Sequence, residues 1–321
     1  MKVLVISGFL GAGKTTFIQE LLRRVHRDFA IMENEVGALG VDGELLQNTD
    51  KAEPVKIVEL TEGCICCTRQ ADFASSVLTI ANTVDPEVLI VEPTGVGELS
   101  KIIANIKKIE YENIELLAPL VIVDGKNFFD SLNEYPALCT DQIQNASTII
   151  VSKTETQSES DKLQIEQKIR ELNHSAEILT EHYGKQNAAW WNALTEKGFG
   201  GKLSNAPSES EKFETVSLTP VSLTNCTQLL LFLSGVVSGI FGNIVRAKGF
   251  VKIGKAGFQF SVVGGQYSVS GFDETTETKA VFIGKNLNRA FLREVLQKPL
   301  YAVKIPRSMQ NALSITPKAH S

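Results

Sequence analysis

The sequence feature that most constrains the fold is the glycine-rich segment GFLGAGKT at residues 8–15. It satisfies the phosphate-binding pattern G-x-x-x-x-G-K-[ST], and it stands between an apolar run and a helical pattern, as that loop requires. Glycines allow backbone N–H groups to turn toward phosphate oxygens, and the following helix adds the positive end of its dipole. The predicted nucleotide-binding residues of the loop are Gly8, Gly11, Ala12, Gly13, Lys14, Thr15 and Thr16. Lys14 is expected to reach the β- and γ-phosphates as a catalytic residue, and Thr15 to ligate magnesium.

Short apolar runs alternate with helical patterns over the first two thirds of the chain. The runs are rich in Val, Ile and Leu with little alternation, which is typical of strands buried on both faces. They predict an α/β fold, a P-loop NTPase with a mostly parallel sheet. The predicted strands lie at 3–6, 29–32, 55–59, 88–91, 120–124 and 148–151, and predicted helices include 15–25, 71–82 and 163–172.

The pattern changes after a polar segment at 203–212 that contains Ser, Pro and charged residues and reads as a linker. Beyond it, short antiparallel strands are predicted at 249–253, 258–263 and 266–270, with Gly264 and Gly265 as a hairpin turn. A further strand at 280–283 and a helix at 288–296 follow. We therefore expect a nucleotide-binding domain at 1–202, a linker at 203–214 and a smaller C-terminal α+β domain at 215–321.

Acidic residues end two of the predicted strands, where ligands bind in such sheets. Glu92 begins the segment EPTG and is predicted to act on the magnesium shell or to orient the attacking water, with the Gly95 N–H sensing the γ-phosphate. Asp124 competes for the same acidic role, and its alternative is a cap for the following helix. We favour Glu92 because Gly95 makes it part of a γ-phosphate sensor.

The segment Ser-Lys-Thr-Glu at residues 152–155 follows another predicted strand. It is similar to the N-K-x-D guanine motif, with Ser152 replacing Asn and Glu155 replacing Asp, while Lys153 is kept. The retained acid leaves pairing with guanine feasible. A Ser/Thr-rich turn before a helix is the alternative.

Three of the five cysteines, Cys64, Cys66 and Cys67, lie within four residues. Thiolates select zinc, cuprous copper or related ions, and three sulfurs leave a tetrahedral shell incomplete. Small buried apolar residues or a redox site are the alternatives. Glu33, Glu35 and Asp42 are candidate oxygen ligands, although a solvated acidic loop would explain them equally well.

The composition limits the partners that we expect. The chain has 321 residues, is 43% hydrophobic and 21% charged, and carries a formal net charge of −5. Without a Lys/Arg block, neither nucleic acid nor an anionic membrane is an expected partner. The N-terminus lacks the pattern of a secretory signal, and the apolar stretch at 229–242 is short for a membrane span. We expect a cytoplasmic protein with reduced thiols.

Four segments together resemble the CobW/HypB/UreG family of metal-centre GTPases, in its CobW-like branch. They are GFLGAGKTT at 8–16, ENEVG at 33–37, GCICC at 63–67 and EPTG at 92–95. VRAKG at 245–249 and FIGKNL at 282–287 look like the second domain of that branch. The resemblance covers both domains.

The resemblance implies binding and hydrolysis of GTP with Mg²⁺, and binding of Zn²⁺ or Co²⁺ by the cysteine motif. It also implies delivery of the metal to an unidentified client metalloprotein or cobalamin-related enzyme. By position, Cys64, Cys66 and Cys67 become metal ligands and Glu33 a further one. An assembly protein with a fixed structural zinc and a phosphoryl-transfer kinase remain the rival hypotheses.

Overall fold

The computed structural model describes residues 1–33, 56–59, 70–110, 113–201, 203–204, 212–272 and 278–297. Side chains at 56–59, 70–72 and 272 are not among the described parts. All statements below concern these residues.

A parallel sheet of eight strands forms the first part of the described chain. Its strands are β1 (Lys2–Ser7), β2 (Phe29–Glu33), β3 (Lys56–Glu59), β4 (Val88–Glu92), β5 (Glu115–Leu116), β6 (Leu120–Asp124), β7 (Thr148–Ser152) and β8 (Glu177–Leu179). The strand order is β3-β2-β4-β1-β6-β7-β8, with β5 also paired to β1. All the pairings in this sheet are parallel, so the carboxyl ends of its strands share one edge.

Helices connect these strands and cover both faces of the sheet. They are α1 (Lys14–Arg24), α2 (Gln70–Thr83), α3 (Leu99–Lys107), α4 (Phe128–Glu134), α5 (Pro136–Gln144), α6 (Glu159–Leu172) and α7 (Ala188–Ala193). Strand β1 shows why the sequence does not alternate. Val3 and Val5 pack into one apolar core, whereas Leu4 and Ile6 pack into the core on the opposite face. A strand buried on both faces needs apolar residues at every position.

An antiparallel sheet of five strands forms the second part. Its strands are β9 (Glu214–Leu218), β10 (Asn243–Ile253), β11 (Ala256–Val263), β12 (Gln266–Phe272) and β13 (Lys279–Lys285), in the order β12-β11-β10-β13-β9. Helices α8 (Cys226–Val237) and α9 (Arg289–Gln297) contribute to its core, where Phe232, Phe260 and Phe282 are buried. This is a separate α+β unit.

The structure confirms the predicted fold class. Each predicted strand of the parallel sheet is present, to within one or two residues at each end. Gly264 and Gly265 both have positive φ, at 56° and 71°, as a type I′ hairpin turn requires. Among the described residues, no helix is long and apolar enough to cross a membrane. The exact domain limits of 202, 214 and 215 stay a prediction.

Candidate nucleotide and metal site

The glycines of the phosphate loop occupy positions that a side chain would not tolerate. Gly8 has φ +143°, and a Cβ there would lie 2.1 Å from the carbonyl oxygen of Ile122. Gly13 has φ +95° and is the N-cap residue of α1, with no side-chain cap. The first N–H groups of α1 are therefore left for a bound anion, which the helix dipole also favours.

Lys14 is buried within the turn that these glycines make. Its Nζ donates to the carbonyl oxygen of Gly8 at 3.0 Å and lies 3.4 Å from that of Phe9. These contacts hold the ammonium group against the loop backbone. A buried cation at the start of a helix whose first N–H groups have no side-chain cap is an arrangement that suits an anion such as phosphate.

Thr15 and Glu92 meet at the carboxyl edge of the parallel sheet. The Thr15 hydroxyl donates to Glu92 Oε1 at 3.3 Å. Mg²⁺ prefers hard oxygen ligands such as these, so the donor set fits the ion expected with a nucleotide. Glu33 ends the neighbouring strand β2, is buried, and stands opposite Glu92 in the register. Glu59 stands opposite Glu33 on its other side.

The segment after Glu92 lies directly against the phosphate loop. A Cβ on Gly95 would stand 2.5 Å from the backbone nitrogen of Leu10, so only glycine permits this approach. Gln142, on α5, holds the segment in place. Its Nε2 donates to the carbonyl oxygen of Gly97 at 3.0 Å and lies 3.5 Å from that of Gly95.

Asp124, the alternative to Glu92, caps the chain that leads into α4. Its Oδ1 accepts from the backbone N–H groups of Lys126 and Asn127, at 3.0 and 3.3 Å. Its Oδ2 pairs with Lys153 Nζ at 2.7 Å. Thr15 therefore contacts Glu92, and Asp124 is engaged by the following turn and by Lys153.

The predicted guanine segment begins at the last residue of β7. Ser152 Oγ lies 2.7 Å from the carbonyl oxygen of Ala12 and 3.1 Å from that of Val123, and its single proton serves one of them at a time. Ser152 thus ties this segment to the phosphate loop. Lys153 has φ +57°, and Glu155 is exposed. The roles of these residues in binding a base stay predictions.

A second buried polar group of α5, Asp141, holds the start of α3, which follows the segment 92–97 in the chain. Asp141 Oδ2 accepts from the backbone N–H of Ser100, in the first turn of α3, at 3.2 Å. Burial raises the pKa of Asp141, and its hydrogen bonds with Ser100 oppose that rise. Asp141 and Gln142 carry no local sequence signal of these contacts, because more than 40 residues separate each of them from the groups that it binds.

The cysteine motif and its nearby acids lie outside the described residues. This applies to Cys64, Cys66 and Cys67, and also to Glu35 and Asp42. Among the described residues no cluster of three or more His, Cys, Asp or Glu side chains suits a metal ion. The flanking elements are described: β3 ends at Glu59, beside Glu33, and α2 begins at Gln70.

The second sheet packs one face onto the phosphate loop. Leu10 is buried in a cluster with Val245 of β10, Ile283 of β13, and Tyr135 and Leu138 of the α4–α5 region. A Cβ on Gly11 would stand 2.7 Å from Val263 Cγ1. We call the face of the second sheet that carries Val245, Val263 and Ile283 the docking face.

A parallel sheet of this order, with a complete phosphate loop between β1 and α1, defines a P-loop nucleotide-binding protein. Residues 2–180 match the family described as CobW/HypB/UreG, nucleotide-binding domain. Residues 213–300 match the cobalamin synthesis protein cobW C-terminal domain. The first match alone spans more than half of the chain, and the protein belongs to the CobW/HypB/UreG family.

Several curated proteins are similar to this chain. It is 30% identical to zinc chaperone YjiA of Escherichia coli over 190 residues, covering 57% of this chain and 58% of that protein. It is 33% identical to E. coli zinc chaperone YeiR over 156 residues, covering 47% and 46%. It is 27% identical to zinc-regulated GTPase metalloprotein activator 1 of Dictyostelium discoideum over 218 residues, which cover 56% of this chain and 45% of that protein. The chain thus spans about half the length of these relatives.

The Zn(II)-bound YjiA GTPase from E. coli is one solved structure to which this chain was matched. Its TM-score is 0.46 at 19% identity, and the superposition covers 92% of this chain and 97% of that one.

Proposed function

We propose that this protein binds GTP with magnesium, hydrolyses it, and uses the nucleotide state to control a transition-metal site formed by Cys64, Cys66 and Cys67. The proposal rests on one observation: the parallel strands β3, β2 and β4 are neighbours in the sheet, and their carboxyl ends lie side by side. Glu92, which contacts Thr15, stands next to Glu33, and Glu33 stands next to the strand that leads into the cysteine motif. A change at the nucleotide is therefore close to Glu33, one of the proposed metal ligands.

The phosphate loop is the proposed binding site for the phosphates of the nucleotide. Lys14 and the N–H groups of the loop hold the β- and γ-phosphates. Thr15 would hold magnesium, and Glu92 would either join the magnesium shell or orient the attacking water. Bound magnesium supplies positive charge to the phosphate oxygens. Water attacks the γ-phosphorus, the bond to the β–γ bridging oxygen breaks, and GDP and inorganic phosphate leave. Where Glu92 orients the attacking water, its carboxylate receives the proton of that water.

The base is proposed to be guanine. Glu155 accepts hydrogen bonds from the ring N–H and amino group, and Lys153 packs on the base. Ser152 fixes this segment to the phosphate loop through Ala12, which supports a base site at this position. The E. coli and Dictyostelium relatives named above as GTPases or zinc chaperones favour GTP and zinc as ligands.

The metal is proposed as cargo rather than as a resident cofactor. Three thiolates and the Glu33 carboxylate give a four-ligand shell of a kind that zinc accepts, with cobalt as the alternative. The recipient is proposed to be a client metalloprotein or a cobalamin-related enzyme.

Phosphate release tests the enzymatic part. Purified, reduced protein is supplied with magnesium and either GTP or ATP, without any phosphoryl acceptor, and the Lys14→Ala variant serves as control. Release from GTP in preference to ATP, lost in the variant, is the expected result. No release until an acceptor is added would instead identify a kinase.

A further inference from the structure

Strand β10 turns an arginine toward the phosphate loop. Arg246 stands opposite Val263 of β11 and opposite Ile283 of β13. Directly opposed residues of antiparallel strands project from one face, with Cα atoms about 4.5–5.5 Å apart. Both neighbours contact the loop, Val263 at Gly11 and Ile283 at Leu10. Arg246 therefore projects from the docking face, between two residues that touch the loop.

A bulge in β10 accounts for this direction. The register with β13 shifts between Ile244 and Arg246, which inserts Val245 as an extra residue. Ile244 and Ala247 point into the core of the second domain, whereas Val245 packs with Leu10. Bulges re-aim side chains, and this one leaves Arg246 on the side of Val245. Arg246 is partly buried and its Nε atom is fully buried, so the base of the guanidinium group lies within the interface.

The docking face carries further positive charge. Lys285 follows Ile283 by two residues and therefore shares its face, and its Nζ lies 4.7 Å from the ring centroid of Tyr135. Lys248 stands opposite Val281 and Ser261, one step along the same face as Arg246. All three cations are partly buried, and several charges of one sign on one face attract a nearby anion. The docking face thus adds positive charge on the side of the phosphate loop.

We propose that Arg246 is supplied in cis by the second domain to the phosphates of the bound nucleotide and favours the triphosphate over the diphosphate. This inference depends on the proposed function, because it requires a nucleoside triphosphate in the loop. Leu10, which packs under the docking face, also lies against Gly95, the residue proposed to sense the γ-phosphate. The γ-phosphate side of the loop is therefore the side that the second domain covers.

The chemistry of the guanidinium suits this position. It has five N–H donors in a planar fork, so it can keep contacts within the interface and still donate to a phosphate oxygen. As water attacks the γ-phosphorus, negative charge shifts within the phosphoryl group and the leaving diphosphate. A positioned arginine stabilises that charge, and such residues contribute strongly to hydrolysis in other P-loop enzymes.

The test compares full-length wild type with Arg246→Ala and Arg246→Lys. Lys252→Ala removes a positive charge from an exposed position of the same strand and serves as the matched control. Affinities for GDP and for a non-hydrolysable GTP analogue are measured by fluorescence, and hydrolysis by single turnover. Thermal unfolding checks that each variant is folded.

For Arg246→Ala we expect analogue affinity and the single-turnover rate each to fall about 10- to 100-fold, the range for a charge-assisted hydrogen bond. GDP affinity should change less than about twofold, since the contact is proposed at the γ-phosphate side. Arg246→Lys should recover part of the analogue affinity but less of the rate, because lysine lacks the fork. Lys252→Ala should match wild type.

Equal losses of GDP and analogue affinity with an unchanged rate would show a structural role and overturn the inference. If Arg246→Ala kept the wild-type analogue affinity and hydrolysis rate, the inference would also be overturned. In that case the proposed function would stand as long as the wild-type protein hydrolyses GTP. Wild type that neither binds nor hydrolyses GTP would remove the proposed function, and this inference with it.

Discussion

The hydroxyl of Thr15 and Oε1 of Glu92 lie 3.3 Å apart, which joins the first turn of α1 to the carboxyl end of β4. Seventy-seven residues separate the two in the chain. The contact joins the end of the phosphate loop to the start of the segment 92–97, the proposed γ-phosphate sensor. Glu33 stands beside Glu92 in the sheet, so only β2 separates this point from β3, the strand that precedes the cysteine motif in the chain.

Replacing Thr15 tests the magnesium part of this arrangement. Thr15→Ala removes the hydroxyl and should weaken magnesium-dependent binding of a GTP analogue about 10- to 100-fold, from loss of a ligand to a charged ion. Thr15→Ser keeps the hydroxyl and should stay close to wild type. The measurement is analogue affinity at increasing magnesium concentrations. Equal affinities for all three proteins would contradict the assignment.

Gly95 provides a steric test of the sensor segment. A Cβ at this position would stand 2.5 Å from Leu10 N, so Gly95→Ala forces the segment away from the phosphate loop. We expect analogue affinity to fall at least about tenfold, with a smaller effect on GDP. Gly200→Ala is the matched control, because a Cβ there meets nothing within 4 Å. Identical affinities for wild type and Gly95→Ala would exclude a sensor role.

Gln142 is predicted to position the same segment without touching the nucleotide. Gln142→Ala removes the donor to the carbonyl oxygens of Gly97 and Gly95, and the hydrolysis rate should fall while GDP affinity is kept. Asn173→Ala is the control, since its buried amide binds the carbonyl oxygens of Ile143 and Ala146 instead. Both variants should lose about 1–3 kcal/mol of stability, but only Gln142→Ala should lose rate. A matching loss of rate in Asn173→Ala would indicate a general effect of destabilisation.

Asp141 should make stability depend on pH in a defined direction. Burial raises its pKa above the ordinary value of 3.8, so the folded chain holds this proton more tightly than the unfolded chain. Its contribution to the free energy of unfolding is fully present below about pH 3.8 and is lost as pH rises through the folded pKa. Urea unfolding of wild type and of Asp141→Asn should therefore show a stability difference, wild type minus variant, that falls with rising pH. A difference that grows with pH would mean that the carboxylate is favoured instead.

Local patterns were sufficient to predict the phosphate loop and the parallel strands. The loop depends on residue types at fixed spacing, and strands such as β1 show continuous apolar runs because both of their faces are buried. The two-residue β5 and three-residue β8 were missed, since so few residues carry no periodicity.

Contacts between distant segments were not predictable. Gln142 and Asp141 read as ordinary polar residues of a helix, and their partners are defined only when α5 packs beside α3. The docking face is similar. Periodicity shows which residues of β10 enter the core of its own domain, but not that Leu10 and Gly11 lie against the opposite face.

The central claim is that nucleotide and metal alter each other's binding, and zinc affinity tests it most directly. Reduced protein is titrated with zinc against a competing chelator, with magnesium and either GDP or a non-hydrolysable GTP analogue, and Cys66→Ala is the control. The account predicts tighter zinc binding with the analogue than with GDP, and loss of that difference in the variant. By linkage, zinc should tighten analogue binding by the same factor. Zinc affinity that is the same in every nucleotide state would contradict the account and indicate a fixed structural metal.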